Sequence, residues 1–159
     1  MKTRFVKPMS VLFMALCAVQ FANAQSNKEE VDFYQSIFGM EKKAIVADFL
    51  QLGPNDPFWA LYDEYETSRK ELGKERINVL DNYVNNYDNL DELQYDEIIK
   101  SMISLRDGND KLIDTYYKKV KKISGSKIAA QFFQIEAYFI SEIRASIMEG
   151  IPYIGEFDD

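Results

Sequence analysis

Histidine is absent from the 159-residue sequence, and cysteine occurs only once, at Cys17. Histidine is the commonest general base, and histidine and cysteine supply most zinc ligands and most partners of activated nucleophiles. The sequence also contains no phosphate-binding loop, dinucleotide-binding loop or nucleophile elbow. These absences predict a protein that is not an enzyme and that needs no metal or cofactor.

One acidic run, DGND at residues 107–110, is faintly similar to a calcium-binding loop. It departs from the EF-hand pattern because Lys111 occupies the third ligand position and no glutamate closes the loop. The run also falls inside a predicted helix. No metal site is therefore expected here.

The N-terminus has the three parts of a secretory leader. Lys2, Arg4 and Lys7 precede an apolar run over residues 9–19, and small residues at 22 and 24 complete a cleavage site. The apolar run is about half of the roughly 20 residues that a membrane-spanning helix requires. We expect cleavage after Ala24, a periplasmic or secreted location, and no stable membrane insertion of the mature chain.

Acidic residues outnumber basic residues, 26 to 19. The predicted leader removes three basic residues and no acidic one, which leaves 16 basic against 26 acidic residues and a net charge of −10. Such a surface repels phosphate backbones and anionic lipid headgroups. Nucleic acid is therefore not expected as a partner, whereas a basic or unfolded cationic protein is favoured.

Apolar residues recur at helical spacing in four segments, which predicts helices over residues 28–51, 57–87, 92–123 and 127–148. No segment shows the strict alternation of a half-buried strand. Because short connections make successive helices antiparallel, residues 25–159 are predicted to form one all-α domain with a short acidic tail. The expected architecture is an antiparallel bundle of four helices, that is, two helical hairpins packed together.

Residues suited to helix ends separate these segments. Asp56 and Pro57 fit the cap and first position of the second helix. Asp91 and Gln94 have the spacing of a capping box at the start of the third helix. Gly125 is a suitable stop between the third and fourth helices.

The spacing of two glycines gives a test of the register between helices two and three. If the chain reverses at residues 90–91, Gly73 and Gly108 fall at one level and allow close approach of the two backbones or a shared bend. Chance spacing is the alternative explanation.

Four charged residues lie close to apolar stripes: Arg69, Arg76, Glu136 and Arg144. Glu136 is flanked by aromatic residues, and a carboxylate facing inward would need a partner because an unpaired buried charge is very costly. The antiparallel register places it near the level of Arg69. We predict a structural ion pair between Arg69 and Glu136, with a polar lining of a binding groove as the alternative.

Aromatic residues are abundant, and some of them lie off the predicted core stripes. These are Trp59, Tyr117, Phe133 and Tyr138. An exposed aromatic surface would mark a partner-binding site or a dimer seam. Packing of unusually wide stripes explains the same pattern, so both interpretations stay open.

Two short motifs resemble the LTxxQ element of the periplasmic Spy and CpxP family. They are LGPND at residues 52–56 and LDELQ at residues 90–94. Threonine is replaced by Gly53 and Asp91, and the glutamine of the first copy is replaced by Asp56. Residues 58–65, 116–119 and 127–136 resemble exported, uncharacterised helical proteins of Gram-negative bacteria that look like distant relatives of Spy and CpxP.

The resemblance implies a stress-linked helical protein of the envelope, with a homodimer as one option. It would act on protein partners, either as a chaperone that needs no ATP or as a modulator of a membrane stress sensor. The Spy cradle is basic whereas this domain is acidic, so a different range of clients is expected. The alternative is a structural or adaptor subunit whose aromatic surface forms an oligomer seam.

Overall fold

The computed structural model describes residues 40–156, and within that range the chain folds into helices without any strand. Three helices are present there: α1 over residues 40–50, α2 over Phe58–Asn85 and α3 over Glu92–Gly150. The predicted all-α class is therefore confirmed. None of these helices is both long enough and apolar enough to cross a membrane.

Several predictions concern residues outside that range. The predicted leader with cleavage after Ala24 lies outside the described residues, as do the first part of the predicted helix 28–51 and the last three residues of the acidic tail.

The connection between α1 and α2 differs by one residue from the prediction. Gln51 ends α1 in a left-handed conformation, with φ of 56°. Asp56 accepts a hydrogen bond from the backbone N–H of Phe58 at 2.9 Å, so its carboxylate does stabilise the start of α2. The helix begins at Phe58, however, and Pro57 is its cap residue rather than its first residue.

The predicted capping box at the start of α3 is confirmed. Asp91 accepts a hydrogen bond from the backbone N–H of Gln94, and Gln94 accepts one from the backbone N–H of Asp91, both at 2.9 Å. One turn of 3-10 helix, Tyr87–Asn89, precedes it. The two reciprocal bonds satisfy donors that a helix N-terminus would otherwise leave free.

Helix α3 is interrupted at Gly125, whose φ of 82° and ψ of 172° are not helical. We call residues 92–124 the first arm and residues 126–150 the second arm. The rings of Tyr117 and Phe133 lie 6.1 Å apart, and Arg144 lies 3.3 Å from Asp110. These contacts pair residues before Gly125 with residues after it, so the two arms run antiparallel.

The register between α2 and the first arm agrees with the prediction to within one residue. A Cβ atom added at Gly108 would lie 3.3 Å from Leu72, the neighbour of Gly73. Lys119 of the first arm also lies 3.7 Å from Glu64 of α2. Gly108 therefore permits the close approach that the sequence suggested.

The core is aromatic and lies where α1 overlaps α2 and both arms. Phe132 is fully buried, with its ring 5.2 Å from that of Tyr65, 6.4 Å from that of Tyr62 and 6.3 Å from that of Phe58. These rings meet edge to face, the arrangement that aromatic quadrupoles favour by about 0.5–1.5 kcal/mol per pair. The rings of α2 thus pack directly against Phe132 of the second arm.

The segment after α3 is fastened to the far end of α2. Tyr83 donates a hydrogen bond to the carbonyl oxygen of Pro152 at 2.7 Å, and Tyr87 donates one to that of Tyr153 at 2.6 Å. Residues 151–156 are thereby held against the C-terminal end of α2.

Candidate functional site

The most concentrated group of ionisable side chains lies inside the core and centres on Lys42. This residue is 1% exposed. Its Nζ lies 2.6 Å from Oε1 of Glu66 on α2 and 2.6 Å from Oε2 of Glu136 on the second arm. One ammonium group therefore joins three helical elements. We call Lys42, Glu66, Arg69 and Glu136, with the hydroxyls of Tyr62 and Tyr65, the buried network.

Two tyrosines complete the surroundings of Glu136, which is fully buried. Tyr65 donates a hydrogen bond to Oε2 at 2.7 Å, and Tyr62 donates one to Oε1 at 3.1 Å. The rings of Tyr65 and Phe139 also lie 5.3 Å and 5.1 Å from Nζ of Lys42, within cation–π distance. Each oxygen of Glu136 thus has a donor, as a buried carboxylate requires.

Arg69 extends the buried network through Glu66. Its Nε and Nη2 atoms donate to the two carboxylate oxygens of Glu66 at 2.9 Å and 3.0 Å. Burial alone would raise the pKa of Glu66, but the charges of Lys42 and Arg69 outweigh burial and the net pKa lies below its ordinary value. Two cations and two carboxylates make the buried network electrically balanced.

The tyrosine hydroxyls of the network are held neutral. Burial raises the pKa of both Tyr62 and Tyr65 well above their ordinary value, and the neighbouring negative charge of Glu136 raises it further. Each hydroxyl therefore acts as a hydrogen-bond donor to Glu136. Because its carboxylates and hydroxyls are engaged with one another and closed to solvent, the arrangement locks helices together.

The predicted partner of Glu136 requires correction. The structure pairs Glu136 with Lys42, while Arg69 forms its bidentate pair with Glu66. Arg69 and Glu136 do belong to one network, in which Glu66 and Lys42 connect them. Arg69 and Glu136 thus lie near each other, but the guanidinium of Arg69 pairs with Glu66, which lies one turn before it on α2.

The sequence prediction did not include Lys42, although its spacing from the core residues of α1 indicates that it is buried. Val46 and Leu50 are 0% and 4% exposed, whereas Ile45 and Phe49 are only partly buried. Lys42 precedes Val46 by four residues and lies on the same side of α1. A lysine in phase with two core residues indicates a buried cation that requires carboxylate partners.

The four predicted partner-binding residues do not form one surface. Trp59 is 8% exposed, lies in the core cluster and donates from Nε1 to the carbonyl oxygen of Gly53 at 2.7 Å. Its indole ring is therefore covered by the connection between α1 and α2 and does not belong to an exposed aromatic surface. Phe133 and Tyr138 are 49% and 38% exposed, but a separation of five residues points them about 140° apart on a helix.

Phe133 and Tyr117 do lie together, beside a shallow groove between the arms of α3. Tyr117 packs partly buried against the core, and its ring meets that of Phe133 edge to face. The groove has a volume of about 170 Å³ and an apolar floor, with an ion pair at one end. We call this feature the hairpin groove; it is lined by Asp110, Ile113, Phe133, Ala137, Ile140, Ser141 and Arg144.

The two remaining arginines of the sequence prediction have different surroundings. Arg144 lies 3.3 Å from the exposed carboxylate of Asp110. Arg76 is 9% exposed, and its Nε has no hydrogen-bond acceptor among the described residues. Burial, together with the neighbouring positive charges of Arg144 and Arg69, lowers the pKa of Arg76.

The DGND run lies within the first arm of α3, as expected. Asp107 lies 3.3 Å from Arg106, and Asp110 faces Arg144 across the hairpin groove. Residues 40–156 contain no group of three or more side chains placed to hold a metal ion.

Comparison of the chain with models of known protein families, with curated proteins and with solved structures gives no match.

Proposed function

We propose that this is a non-enzymatic periplasmic protein that binds other proteins, as a chaperone-like factor or as a modulator of an envelope stress sensor. Its proposed architecture is an antiparallel four-helix bundle made of α1, α2 and the two arms of α3. The observation that carries the proposal is the half-exposed ring of Phe133 beside the hairpin groove.

An exposed aromatic ring over an apolar floor suits an apolar segment of another protein. Phe133 presents about half of its surface to solvent, although Tyr117 supports its ring from one side. Aromatic residues on a rigid support are enriched in protein interfaces because they bury a large area at little cost in side-chain entropy. Isolated exposed aliphatic residues elsewhere carry less weight, since every protein surface contains some.

The distribution of charge supports binding over catalysis. Glu66 and Glu136, the deeply buried acids, are engaged by Lys42, Arg69 and two tyrosines, so they are not free to transfer protons to a substrate. Acidic residues exceed basic residues in the chain, 26 to 19. An acidic surface attracts cationic, unfolded segments and keeps the resulting complexes soluble.

Suppression of aggregation tests the chaperone form. The purified protein is mixed with an unfolding client, and light scattering follows aggregation. We expect the wild-type protein and Ile99→Ser to suppress scattering and Phe133→Ser to lose most of that effect. Ile99 is a matched control because it is 47% exposed, close to the 49% of Phe133, and lies on the first arm about 27 Å from the level of Tyr117.

Two results would count against this form of the proposal. Unchanged client aggregation in an excess of wild-type protein would contradict the proposed chaperone activity. Equal suppression of aggregation by Phe133→Ser and Ile99→Ser would show that the client does not bind at the hairpin groove.

A structural or adaptor subunit is the second candidate, and the same exposed ring favours it. In that case Phe133 and Tyr117 would form a permanent seam with a second copy or another subunit. Multi-angle light scattering at low protein concentration distinguishes the two functions. A stable oligomer that dissociates in Phe133→Ser would support the seam, whereas a monomer would support a surface open to clients.

A further inference from the structure

The turn between the two arms of α3 carries a cluster of lysines. Five lysines fall within the ten residues 118–127, and no acidic residue occurs between Asp114 and Glu136. All five are exposed, and they lie on both sides of Ile123 in the sequence, which is itself 48% exposed. We call this feature the hairpin tip; it consists of Lys118, Lys119, Lys121, Lys122, Ile123 and Lys127.

Two lysines of the hairpin tip are paired and three are not. Lys118 lies 2.6 Å from the carboxylate of Asp114. Lys119 lies 3.7 Å from that of Glu64. The other three have no carboxylate partner within residues 40–156: Lys121, Lys122 and Lys127. Their charges are therefore available to an anionic surface.

Ile123 continues the inward side of the first arm beyond the end of the core. It follows the buried Tyr116 by seven residues, close to two full turns, so the two side chains point in nearly the same direction. Gly108 lies beside Leu72, and an equal count of 15 residues along the antiparallel pair places Ile123 level with Pro57. Helix α2 begins only after Pro57, so no helix of this pair continues past Ile123.

The net negative charge of the chain predicts repulsion from anionic lipids, but this charge is unevenly distributed. Four acids of the first arm lie in its first half: Glu92, Asp96, Glu97 and Asp107. The nearest of them is about 25 Å along the helix from Ser124. Asp56 lies at the same end as the hairpin tip, where its carboxylate caps α2. Because charges act over only about 8 Å at physiological ionic strength, the distant acids do not cancel the lysines.

Cations beside an exposed apolar side chain suit the surface of an anionic bilayer. Clustered lysines attract acidic lipid headgroups, and each one near the surface strengthens binding by about fivefold. The aliphatic stem of a lysine can lie along the apolar boundary while its ammonium group stays at the phosphates. A nucleic acid also offers phosphates, but its backbone provides no apolar layer for an isoleucine.

We propose that the hairpin tip docks reversibly on an anionic phospholipid bilayer. Ile123 enters the boundary between headgroups and acyl chains, while the unpaired lysines contact lipid phosphates. The acidic first half of the first arm then points away from the membrane. This inference goes beyond the proposed function, and it is tested without any client, so either can fail while the other holds.

Co-sedimentation with lipid vesicles tests the docking, using the protein purified after export. We expect binding to vesicles of phosphatidylcholine and phosphatidylglycerol, but not to phosphatidylcholine alone. The combination of Lys121→Gln, Lys122→Gln and Lys127→Gln should weaken binding by about a hundredfold, at about fivefold per lysine. The matched control combines Lys100→Gln, Arg106→Gln and Lys111→Gln. It removes the same charge from exposed positions of the same arm and should bind like the wild type.

Fluorescence locates the part of the molecule that touches the bilayer. In a Cys17→Ser background, an environment-sensitive dye on Ile123→Cys should shift to shorter wavelength when anionic vesicles are added. The same dye on Ile99→Cys should not shift, because Ile99 is equally exposed, at 47%, but lies about 36 Å from Ile123 along the first arm.

Three results would overturn the proposal. One is equal vesicle binding by the two triple variants, and another is the absence of a dye shift at position 123. The third is binding of polyglutamate, but not of anionic vesicles, that depends on the three unpaired lysines. That result would assign the hairpin tip to an acidic protein instead of a membrane.

Discussion

Lys42 and Lys43 are neighbours in sequence with opposite surroundings. Lys42 is enclosed by two carboxylates and three aromatic rings, whereas the Lys43 side chain is 41% exposed and pairs with Asp63, whose side chain is 59% exposed. Exposed pairs contribute little because water and salt screen them. Removing one member of a buried pair leaves an uncompensated charge.

Replacement of Lys42 by methionine should therefore destabilise the protein strongly. We expect a loss of about 3–5 kcal/mol in the free energy of unfolding, because Glu136 loses its cation inside the core. Lys43→Met should cost less than about 1 kcal/mol. Urea denaturation followed by circular dichroism measures both, and similar losses in the two variants would argue against the role of the network.

Stability should fall in acid because of Glu66. Its pKa in the folded state is below the ordinary value of 4.5, so the folded protein binds a proton less readily than the unfolded chain does. The stabilisation is complete above the unfolded pKa and is lost as the pH falls through the lower, folded pKa. Unfolding free energies measured from pH 6 downward should decline less steeply in Glu66→Gln than in the wild type.

Stability should also fall in alkali, for the opposite reason. The pKa values of Tyr62 and Tyr65 are raised in the folded state, so their stabilisation is complete below the ordinary value of 10.0 and is lost as the pH rises through the folded pKa. The double variant Tyr62→Phe, Tyr65→Phe should be less stable at pH 8 but lose less stability between pH 9 and pH 11. Parallel alkaline limbs in wild type and variant would rule this out.

For single residues, the sequence predicted that Glu136 needs a cationic partner but did not predict which residue provides it. Glu136 is recognisable as an inward carboxylate because aromatic residues precede and follow it in the sequence. Its partner depends on how far a lysine on another helix can reach, and an unbranched side chain reaches over about one turn. Trp59 shows the same limit, because its burial depends on the path of the connection between α1 and α2.

At the scale of helices and turns, Gly125 has the most unusual backbone. Its φ of 82° with ψ of 172° belongs to a region that is essentially restricted to glycine. A Cβ atom there would meet no other group within 4 Å, so the cost of substitution is confined to the backbone itself. The reversal of α3 therefore depends on the absence of a side chain at one position.

Gly125→Ala should destabilise the protein by about 1–3 kcal/mol through backbone strain alone. Gly150→Ala is the control, because an added Cβ there also meets nothing within 4 Å and the backbone has no such positive φ. It should be neutral or slightly stabilising, since alanine favours a helix. Thermal unfolding compares the two variants. Equal melting temperatures would show that an alanine side chain at position 125 does not strain the backbone.

Helix ends were the most predictable elements, because their signals are local. The capping box of Asp91 and Gln94 and the stop at Gly125 depend on a few neighbouring residues, and both were identified correctly. The start of α2 was misplaced by one residue, since either Asp56 or Pro57 can occupy the cap position. The pairing of α2 with the first arm also followed from sequence, because a short turn fixes the register of two antiparallel helices.

At the scale of the whole molecule, charge should decide which partners bind. The chain contains 26 acidic and 19 basic residues, and the two cations and two carboxylates of the buried network balance each other. Opposite charges steer two proteins together, and salt screens this attraction over a Debye length of about 8 Å at physiological ionic strength.

We therefore expect stronger suppression of aggregation for a cationic client than for an acidic client of similar size. Addition of salt should weaken the effect on the cationic client and change the effect on the acidic client little. Light scattering at two salt concentrations measures this difference. Equal salt dependence for both clients would exclude steering by the acidic exterior.

The single-residue reversal at Gly125 also bears on how two chains could combine. If the backbone of Gly125 became helical, residues 92–150 would form a straight helix of about 88 Å. The apolar sides of the two arms would then no longer pack against each other. A second rod running the opposite way could bring the first arm of each chain against the second arm of the other. Exchange of arms between two molecules would thus differ from the fold of the single chain by rotation about one residue, the kind of change that underlies hinge-linked domain swaps.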